Sequence, residues 1–579
     1  VGADERDCDV PDPDDANIVY GSGLGGRVGR FDARTGDVQN IGPSLINTYG
    51  RDPRTIEHRW AWMTPLTISP LAPHALYLGA QILWRSDDRG QSWRVISGDL
   101  TGKTREAADC QGEVAQADAK ACGFGVIYTI APSPHDAEEV WVGTDSGLLQ
   151  RTRDGGRSWD NLTPAAVPEW GIISRIELSA LDRNTVYLAV DRHRLNQFAP
   201  MILRSHDGGQ SWIDISTGLP PGEISSVIRA DAEQAGLLFV GTDRGVYTSL
   251  DDGAHWQPLN SQLPVAWVRD MRVVGSDLAI ATQGRGLWIL DNISRLRALA
   301  QDADLGAPRL YPPAPATRLR QNQNKDTPLA AEIPLGRNPP TGALIEYFLP
   351  KPAGKVELRI LAADGSLVRQ FSSEDQPEDL PSEQYFSDLY RRPRGALPLT
   401  AGSHRWVWNL RHPRPLALNY DFTIAAVPGM DTERLPQGPL ALPGSYTVEL
   451  IVDGRKQSAA LSVQLDPRLD LDASELQQIL AFNQQIGQIL AATVQRIRQL
   501  DAELAALAKT QTTAAGEARI AAVKAELDGT PEQRGLKAWA GILADLATDA
   551  ESAERVPTGA QQALLGSAIE ALASTPAPG

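Results

Sequence analysis

Short apolar segments alternate with polar turns over the first half of the chain. The clearest segments are ALYLGA, EVWVGT, TVYLAV and LLFVGT, and each is followed by a second apolar segment that enters a turn containing Asp and Gly. Apolar runs of this length are typical of buried strands, and Asp-x-Gly is typical of a hairpin turn because Gly accepts a positive φ. The first half of the chain is therefore predicted to consist of β-strands.

A turn motif of the form [Ser/Thr]-x-Asp-x-Gly-x-x-Trp occurs four times, at residues 86–93, 152–159, 205–212 and 249–256. Its tryptophans are 66, 53 and 44 residues apart, and these spacings fit four-stranded propeller blades with loop insertions. We predict that its tryptophans are largely buried beneath the turns, and that its aspartates lie on peripheral hairpins away from the central channel. These aspartates are Asp88, Asp154, Asp207 and Asp251.

Two weaker units flank the four motifs. Residues 17–36 contain a strand and a degenerate turn, and residues 278–291 contain two further strands joined by a turn. Six units therefore fill residues 1–295, which are predicted to form a β-propeller. Six blades can close a ring, and a cut through a larger assembly fits the same pattern.

The pattern changes after the repeats. Residues 296–341 are rich in Pro and Asn and are predicted to be an ordered linker. Residues 342–466 then alternate apolar and polar positions, with Asp-Gly turns at 364–365 and 453–454. This segment is predicted to be a β-sandwich of immunoglobulin or fibronectin type.

Helical spacing begins near Asp472 and gives a helical hairpin or bundle over residues 467–579. Ser474 and Gln477 form a predicted capping box at its start. We expect the helices to bury their apolar stripes on one another. An exposed amphipathic stretch for a partner is the functional alternative.

The repeats resemble the Asp-box repeats, also called bacterial neuraminidase repeats, of sialidases, xyloglucanase-type glycosidases and sortilin-type receptors. The segments NIVYGSGLGGRVGRFDARTG, ALYLGAQILWRSDDRGQSW and ATQGRGLWILDNI are similar to one group in particular, the large exported bacterial proteins labelled glycosyl hydrolase or sortilin-like. The resemblance covers residues 1–295. It implies a periplasmic, cell-surface or secreted protein and, in most members, another propeller upstream.

The charged and apolar composition of the chain argues against nucleic acid as a partner and against a membrane span. The chain has 55 Lys and Arg against 72 Asp and Glu, a formal net charge of −17. A surface this acidic repels phosphate backbones, so nucleic acid is not an expected partner. No apolar run reaches the ~18 residues that a membrane span requires. The chain starts at Val1 without Met or a leader, so we expect it to be a processed or excised piece.

Three cysteines cannot all pair within one chain. We predict a bridge between Cys110 and Cys122, which flank a polar Ala-rich segment, and a free Cys8. Three free thiols are the alternative. Neither a C-x-x-C motif nor a His cluster suggests a metal site, and no cofactor is expected.

The residues that open each blade are the candidate ligand site, because loops of successive blades converge at one end of a propeller channel. The guanidinium of Arg can donate two parallel hydrogen bonds to a carboxylate, and the face of a Trp ring can stack on a sugar ring. The structural alternative is that each Arg pairs with a carboxylate of a neighbouring blade and that each Trp belongs to the core. The candidates are Arg59, Trp60, Trp62, Trp170, Arg175, Arg192, His193, Arg269, Asp270 and Arg285.

A catalytic set is not identifiable. Most glycosidases need two carboxyl groups about 5–9.5 Å apart. The resemblance to sialidases implies a Tyr nucleophile beside a Glu, which no Tyr here matches, and a clamp of three Arg that Arg59, Arg175 and Arg269 could supply. The resemblance to xyloglucanases implies two Asp in a cleft between two propellers.

The sequence therefore favours an exported binding or scaffold protein whose ligand is a carbohydrate or a protein. The alternative is a glycoside hydrolase, sialidase- or xyloglucanase-like, whose cleft is completed by an upstream propeller.

Overall fold

The computed structural model describes residues 8–45, 57–102, 125–259, 262–302, 304–320, 339–376, 395–422, 434–509 and 513–573. The chain forms two compact units, residues 1–303 and residues 304–579. Cys8 is a free thiol, as predicted. The predicted Cys110–Cys122 bridge lies outside the described residues.

The first unit contains six consecutive antiparallel sheets, each built from strands in chain order. Sheet 1 contains β1 (Asp9–Pro11), β2 (Ile18–Ser22), β3 (Val28–Asp32) and β4 (Asp37–Asn40). Sheet 2 contains β5 (Leu66–Ile68), β6 (Leu76–Gly79), β7 (Leu83–Ser86) and β8 (Arg94–Val95). Sheet 3 contains β9 (Ile127–Pro132), β10 (Val140–Thr144), β11 (Leu149–Thr152) and β12 (Asp160–Asn161).

The remaining sheets of this unit follow the same plan. Sheet 4 contains β13 (Ile172–Leu178), β14 (Val186–Asp191), β15 (Ile202–Ser205) and β16 (Ile213–Asp214). Sheet 5 contains β17 (Ser225–Ala230), β18 (Leu238–Thr242), β19 (Val246–Ser249) and β20 (Gln257–Pro258). Sheet 6 has three strands within the described residues, β21 (Trp267–Val274), β22 (Asp277–Gln283) and β23 (Leu287–Leu290), and helix α1 (Ser294–Gln301) follows it.

The six sheets are arranged as a β-propeller. Residues from or beside the first strand of every sheet line one shared cavity, so the first strands are innermost and the fourth strands are outermost. Apolar clusters join sheet 1 to 2, 2 to 3, 3 to 4, 4 to 5 and 5 to 6. The β-propeller predicted from the repeats is therefore confirmed.

Each copy of the turn motif is a closed hydrogen-bond unit between the third and fourth strands. In the second copy, Asp154 accepts hydrogen bonds from the Ser158 backbone N–H (2.9 Å) and hydroxyl (2.6 Å) and from the Thr152 hydroxyl (2.9 Å). These donors lower the pKa of Asp154 to about 2, with the Ser158 hydroxyl as the main cause. The structural role predicted for the motif aspartates, on turns away from the cavity, is confirmed.

The motif tryptophans differ from the prediction. Trp256 is buried, whereas Trp93, Trp159 and Trp212 are only half-buried. Three of them also reach over the preceding sheet instead of packing beneath their own turn. Their indole N–H groups donate to backbone carbonyls there: Trp93 to Ile41 (2.6 Å), Trp159 to Ile96 (3.1 Å) and Trp256 to Ile215 (2.7 Å).

The glycine that precedes each motif Trp by three residues explains this contact. Gly253 has a φ of +86°, and a Cβ on it would lie 2.5 Å from Ile215 Cδ1. The same position in the second motif, Gly156, would place a Cβ 2.2 Å from the Ile96 carbonyl oxygen. Glycine is therefore needed both for the turn and for the close approach of two sheets.

The second unit begins in the segment predicted as a linker, which contributes β24 (Arg309–Leu310) and β25 (Ala316–Arg318). Two sheets, ordered β24-β26-β29 and β25-β33-β32-β27-β28, share one apolar core that includes Ile345, Leu358 and Trp408. The immunoglobulin or fibronectin type stays a prediction. The other strands are β26 (Ala343–Leu349), β27 (Val356–Ala362), β28 (Leu367–Ser372), β29 (Gly402–Trp408), β30 (Asp421–Phe422), β31 (Arg434–Leu435), β32 (Gly444–Val452) and β33 (Arg455–Leu465).

Four helices follow: α2 (Ala473–Leu507), α3 (Ala514–Asp528), α4 (Leu536–Ala550) and α5 (Gly559–Ala573). They share one apolar core, as predicted. The capping box differs from the prediction, because Asp472 is the N-cap and exchanges hydrogen bonds with Glu475. Among the described residues, no helix is both long enough and apolar enough to cross a membrane.

A buried ionic cluster joins the strands of the second unit to its helices. Arg318, almost fully buried, pairs with Glu554, and Arg320 pairs with both Glu551 and Glu554. Arg411 adds a second contact to Glu551, at 2.6 Å. Removing one member leaves an opposite charge buried, which typically costs about 3–5 kcal/mol.

The close contact at Gly253 predicts how much the stability falls when a side chain is added at this position. Gly253→Ala is expected to lower the free energy of unfolding by about 2–5 kcal/mol, because a positive φ costs about 1–2 kcal/mol and the clash with Ile215 adds about 1–3 kcal/mol. Eleven of the fourteen tryptophans lie in the first unit, so urea unfolding followed by fluorescence measures this loss.

Gly222→Ala is the matched control, because Gly222 has the same φ of +86° and open space around the missing Cβ. Only the backbone cost of about 1–2 kcal/mol is expected there. Equal losses in the two variants would show that the approach of sheet 5 to sheet 4 is not tight.

Candidate functional site

The innermost strands of sheets 3 to 6 carry a β-bulge at the same place. In each, one residue near the start of the strand is skipped by the pairing with the second strand. A bulge turns the side chain of its extra residue away from the sheet faces. The four extra residues are Tyr128, Ser174, Ser226 and Arg269, and all four line the central cavity.

The cavity has a volume of about 120 Å³. Its wall also contains Cys8, Met63, Thr67, Arg175 and Asp191. A volume this small holds a group of a few atoms, whereas cavities for drug-sized ligands have about 300–1,000 Å³. The cavity is therefore suited to one functional group of a larger ligand.

Two of the predicted site residues are paired with each other inside the channel. Arg175 contacts Asp270 at 2.6 Å, and Asp270 also contacts Arg229 at 2.8 Å. Arg229 in turn contacts Glu177 at 2.8 Å. Burial alone would raise the pKa of Asp270, but Arg175 and Arg229 outweigh it, and the pKa of Asp270 is lowered. The two positive and two negative charges link sheets 4, 5 and 6.

Arg269 differs from these residues. Its guanidinium lies over the Trp267 ring, 4.6 Å from the ring centre, and makes no ion pair or hydrogen bond with the described part of the chain. Trp267 is held in place by a hydrogen bond to the Ser226 hydroxyl (2.6 Å) and by an edge-on contact with His193 (5.7 Å between ring centres). Arg269 therefore has a fixed position and a charge without an acidic partner.

His193 belongs to the same group of side chains. Its Nδ1 lies 2.6 Å from the Asp191 carboxylate, which lines the cavity. The neighbouring Arg192 donates to the Gln197 side chain (3.2 Å) and to the Ala199 carbonyl (3.0 Å), so it stabilises its own loop. The structure thus brings His193 and Arg269 to one place, where both contact Trp267.

Three of the candidate residues make structural contacts within the propeller. Arg59 donates to Asp99 (2.6 Å) and to the Gly125 carbonyl (3.0 Å), which joins the end of sheet 2 to the start of sheet 3. Trp60 lies against Gly26, where a Cβ would come within 2.4 Å of the indole ring. Trp170 is buried at a positive φ of 63°.

The other two predicted residues are more exposed. Trp62 keeps 39% of its surface exposed. Arg285 is exposed in the turn between β22 and β23, where its carbonyl accepts a hydrogen bond from Trp288 (2.9 Å). Neither residue lines the central cavity.

Sequence reasoning missed the bulge hydroxyls, Trp267 and Asp191. Only the position of the bulge residue recurs, since it is the second or third residue of the innermost strand in sheets 3 to 6. Its side-chain type varies from Tyr to Ser to Arg, so no motif marks it.

A buried carboxyl lies at the start of sheet 3. Asp145 is 3% exposed, and its carboxylate accepts a hydrogen bond from the Val126 backbone N–H at 2.8 Å. Burial raises the pKa of Asp145 to about 6, and the Val126 N–H opposes this only in part. Asp243 makes the same contact with the Ile224 N–H (2.8 Å) in sheet 5, so this Asp fixes the beginning of an innermost strand.

Comparison with known proteins gives structural likenesses only. No family model and no curated protein matches the chain. A xyloglucanase of family GH74 from Xanthomonas campestris is 18% identical, with a TM-score of 0.36, over 77% of this chain and 71% of that protein. YCF48 bound to a D1 peptide is 13% identical, with a TM-score of 0.32, over 50% of this chain and 82% of that one.

A third likeness is PorZ, described as a surface component of the type-IX secretion system of Porphyromonas gingivalis. It is 12% identical, with a TM-score of 0.34, over 78% of this chain and 50% of that protein. At these values the likenesses identify neither a family nor an activity for this chain.

The raised pKa of Asp145 predicts a pH-dependent cost in stability. The folded pKa of about 6 lies above the ordinary pKa of an Asp side chain, about 3.9, so the folded state holds the proton more tightly, and stability falls as pH rises from about 4 to about 6. Asp145→Asn removes this cost. The variant is expected to gain up to about 3 kcal/mol relative to the wild type between pH 4 and pH 7, measured by urea unfolding.

Asp243→Asn is the matched control, because it changes the same backbone contact at a half-buried turn. A difference between wild type and Asp145→Asn that is constant from pH 4 to pH 7 would contradict the burial of a titrating carboxyl.

Proposed function

We propose that the first unit is a binding propeller that recognises a carbohydrate through a carboxylate group at its central channel. The observation that carries the proposal is Arg269, a fixed guanidinium at the cavity without an acidic partner in the described chain. A guanidinium offers a planar fork of donors that matches a carboxylate.

The surroundings of Arg269 support a ligand with hydroxyl groups beside its carboxylate. Tyr128, Ser174 and Ser226 bring three hydroxyl groups to the cavity wall. The Ser174 hydroxyl already donates to the Ala189 carbonyl and can still accept, and the Ser226 hydroxyl already accepts from Trp267 and can still donate. These groups can donate and accept hydrogen bonds, as sugar hydroxyls do. A uronic or sialic acid residue presents both kinds of group, and its carboxylate fits the small volume of the cavity.

The charge of the whole chain makes this site selective. A net charge of −17 repels anions in general, so an anion must find a local positive group to bind. Arg175 and Arg229 are neutralised by Asp270 and Glu177, which leaves Arg269, among the described residues of the cavity wall, as the group that attracts an anion.

The arrangement supports binding more than hydrolysis. Asp191 is the one acidic side chain among the described residues of the cavity wall, and it already contacts His193. A glycosidase of the usual kind requires two carboxyl groups across its cleft. Within the described cavity wall, such a pair is not assembled.

The proposal includes the setting implied by the resemblance to Asp-box proteins. The chain is an exported bacterial protein of the sortilin-like or glycosyl hydrolase-labelled group, acting in the periplasm, at the cell surface or in the medium. Its second unit is an immunoglobulin- or fibronectin-like module with a helical extension.

The proposal predicts that removal of one guanidinium weakens binding of acidic glycans. Arg269→Gln is expected to reduce affinity about 10- to 100-fold, since a hydrogen bond to a charged group contributes about 1.5–3 kcal/mol. The measurement is titration of the full chain with oligosaccharides that end in a uronic or sialic acid, and with the same oligosaccharides after carboxyl reduction.

Arg272→Gln is the matched control, because it removes an exposed Arg three residues further along β21, away from the cavity. Its affinity should equal that of the wild type. Equal binding of acidic and reduced glycans, or binding of acidic peptides alone, would overturn the carbohydrate assignment. Turnover of a glycan by the wild-type chain would overturn the assignment as a binding protein.

A further inference from the structure

The propeller repeats one interface between successive sheets. The first residue of the third strand packs towards the following sheet and pairs with a small residue of the second strand, such as Gly79, Gly143 or Gly241. In sheets 1 to 5 this residue is 0% exposed. These residues are Val28, Leu83, Leu149, Ile202 and Val246.

Sheet 6 presents the same face, and no sheet follows it within the described part of the first unit. The equivalent residue, Leu287, pairs with Ala281 and is 83% exposed. Ile289, two residues along the same strand, is 62% exposed. Where sheets 2 to 5 have a buried aromatic residue in the second strand, such as Trp141 or Phe239, sheet 6 has the half-buried Ala279.

Sheet 1 forms the other side of the gap between sheets 6 and 1. The face of sheet 1 towards this gap is also uncovered by the described residues. Asp9 and Pro11 of the innermost strand are exposed, and Val19 and Phe31 are half-buried. By the pairing register, Val19 corresponds to Leu238 and Phe31 to Ser249 in sheet 5, and these two residues are 0% and 1% exposed. Among the described residues, no apolar cluster joins sheet 6 to sheet 1, in contrast to the five other pairs of neighbours.

We propose that a seventh antiparallel sheet of the same repeat, from polypeptide outside residues 1–579, inserts between sheets 6 and 1. The interface already present five times determines its chemistry. Its second strand carries two aliphatic residues at the positions of Leu238 and Val240, and these residues cover Leu287 and Ile289. Its other face carries an aromatic residue that packs on Val19 and Phe31.

A second copy of this chain fits the gap less well. The repeated interface joins two different faces. One is the face that a sheet turns towards the following sheet, and the other is the face that the following sheet turns back towards it. Two copies that met through such unlike faces would form a heterologous contact, in which each copy leaves one of its own faces open for a further copy. One inserted sheet covers both faces at once.

The test is a graft onto the full chain. A copy of residues 223–259, which contain β17 to β20, is placed before Val1 through a short Gly-Ser linker to give a seven-sheet chain. We expect a higher urea midpoint and weaker hydroxyl-radical labelling of Leu287 and Ile289 than in the six-sheet chain. The control graft carries Leu238→Asp and Val240→Asp in the copied sheet only, and it should change neither quantity.

Leu287→Asp gives the second arm. In the six-sheet chain it should leave the urea midpoint unchanged, whereas Leu149→Asp should lower it strongly. In the seven-sheet chain Leu287→Asp should lower the midpoint, because the residue is now covered.

Each other outcome counts against the proposal. A large loss from Leu287→Asp in the six-sheet chain would mean that the face is already covered. A graft that stays protease-sensitive while Leu287 remains labelled would mean that this kind of sheet does not fit. Self-association of the six-sheet chain that Leu287→Asp abolishes would identify a second copy as the occupant.

Discussion

The structure of the first unit depends on the contact between successive sheets. A single sheet of this kind is small, since its outermost strand is two residues long in sheets 2 to 5, and it cannot bury its apolar faces alone. Sheets 2 to 5 are covered by their neighbours through the same elements, an aromatic residue in the second strand and a glycine turn that approaches the preceding sheet. The turn motif is therefore a connection between sheets as well as a hairpin, which explains why both its Gly and its Trp recur.

The packing of the sheets also determines which side chains of the channel can meet a ligand. Several of the charged side chains at the channel are already paired. Asp270 lies between Arg175 and Arg229, and the three charges together link three sheets. The bulges of sheets 3 to 6 then turn one residue of each of these four innermost strands towards the cavity. Arg269 is both a bulge residue and, among the residues that the structure describes, a cation without an acidic partner, so it is the side chain best placed to meet a ligand.

The sequence predicts much of the fold and little of the site. The turn motif and its spacing predict the sheets, because a hairpin with Asp and Gly is a local structure whose determinants are adjacent in sequence. The positions of Trp93 and Trp159 were not predicted, since their partners lie in the preceding sheet. Arg318 and Arg320 lie in a segment that reads as a linker, and only the folded second unit shows their pairing with Glu551 and Glu554.

The site shows the same limit. Arg175 and Arg269 occupy similar places in the sequence, near the start of an innermost strand, and both were candidates. They differ because the pairing register sets Arg269 on a bulge and Arg175 beside Asp270, and neither register nor partner is visible along the chain. The cluster of Trp267, His193 and Asp191 likewise combines residues about 75 positions apart.

Hydrogen exchange followed by mass spectrometry tests most directly whether each sheet is stabilised by the sheet that follows it. The account predicts strong protection of β11, β15 and β19, which have a fourth strand and a following sheet. It predicts much faster exchange in β23, which has neither within the described chain. Equal protection of β23 and β19 in the isolated chain would contradict it.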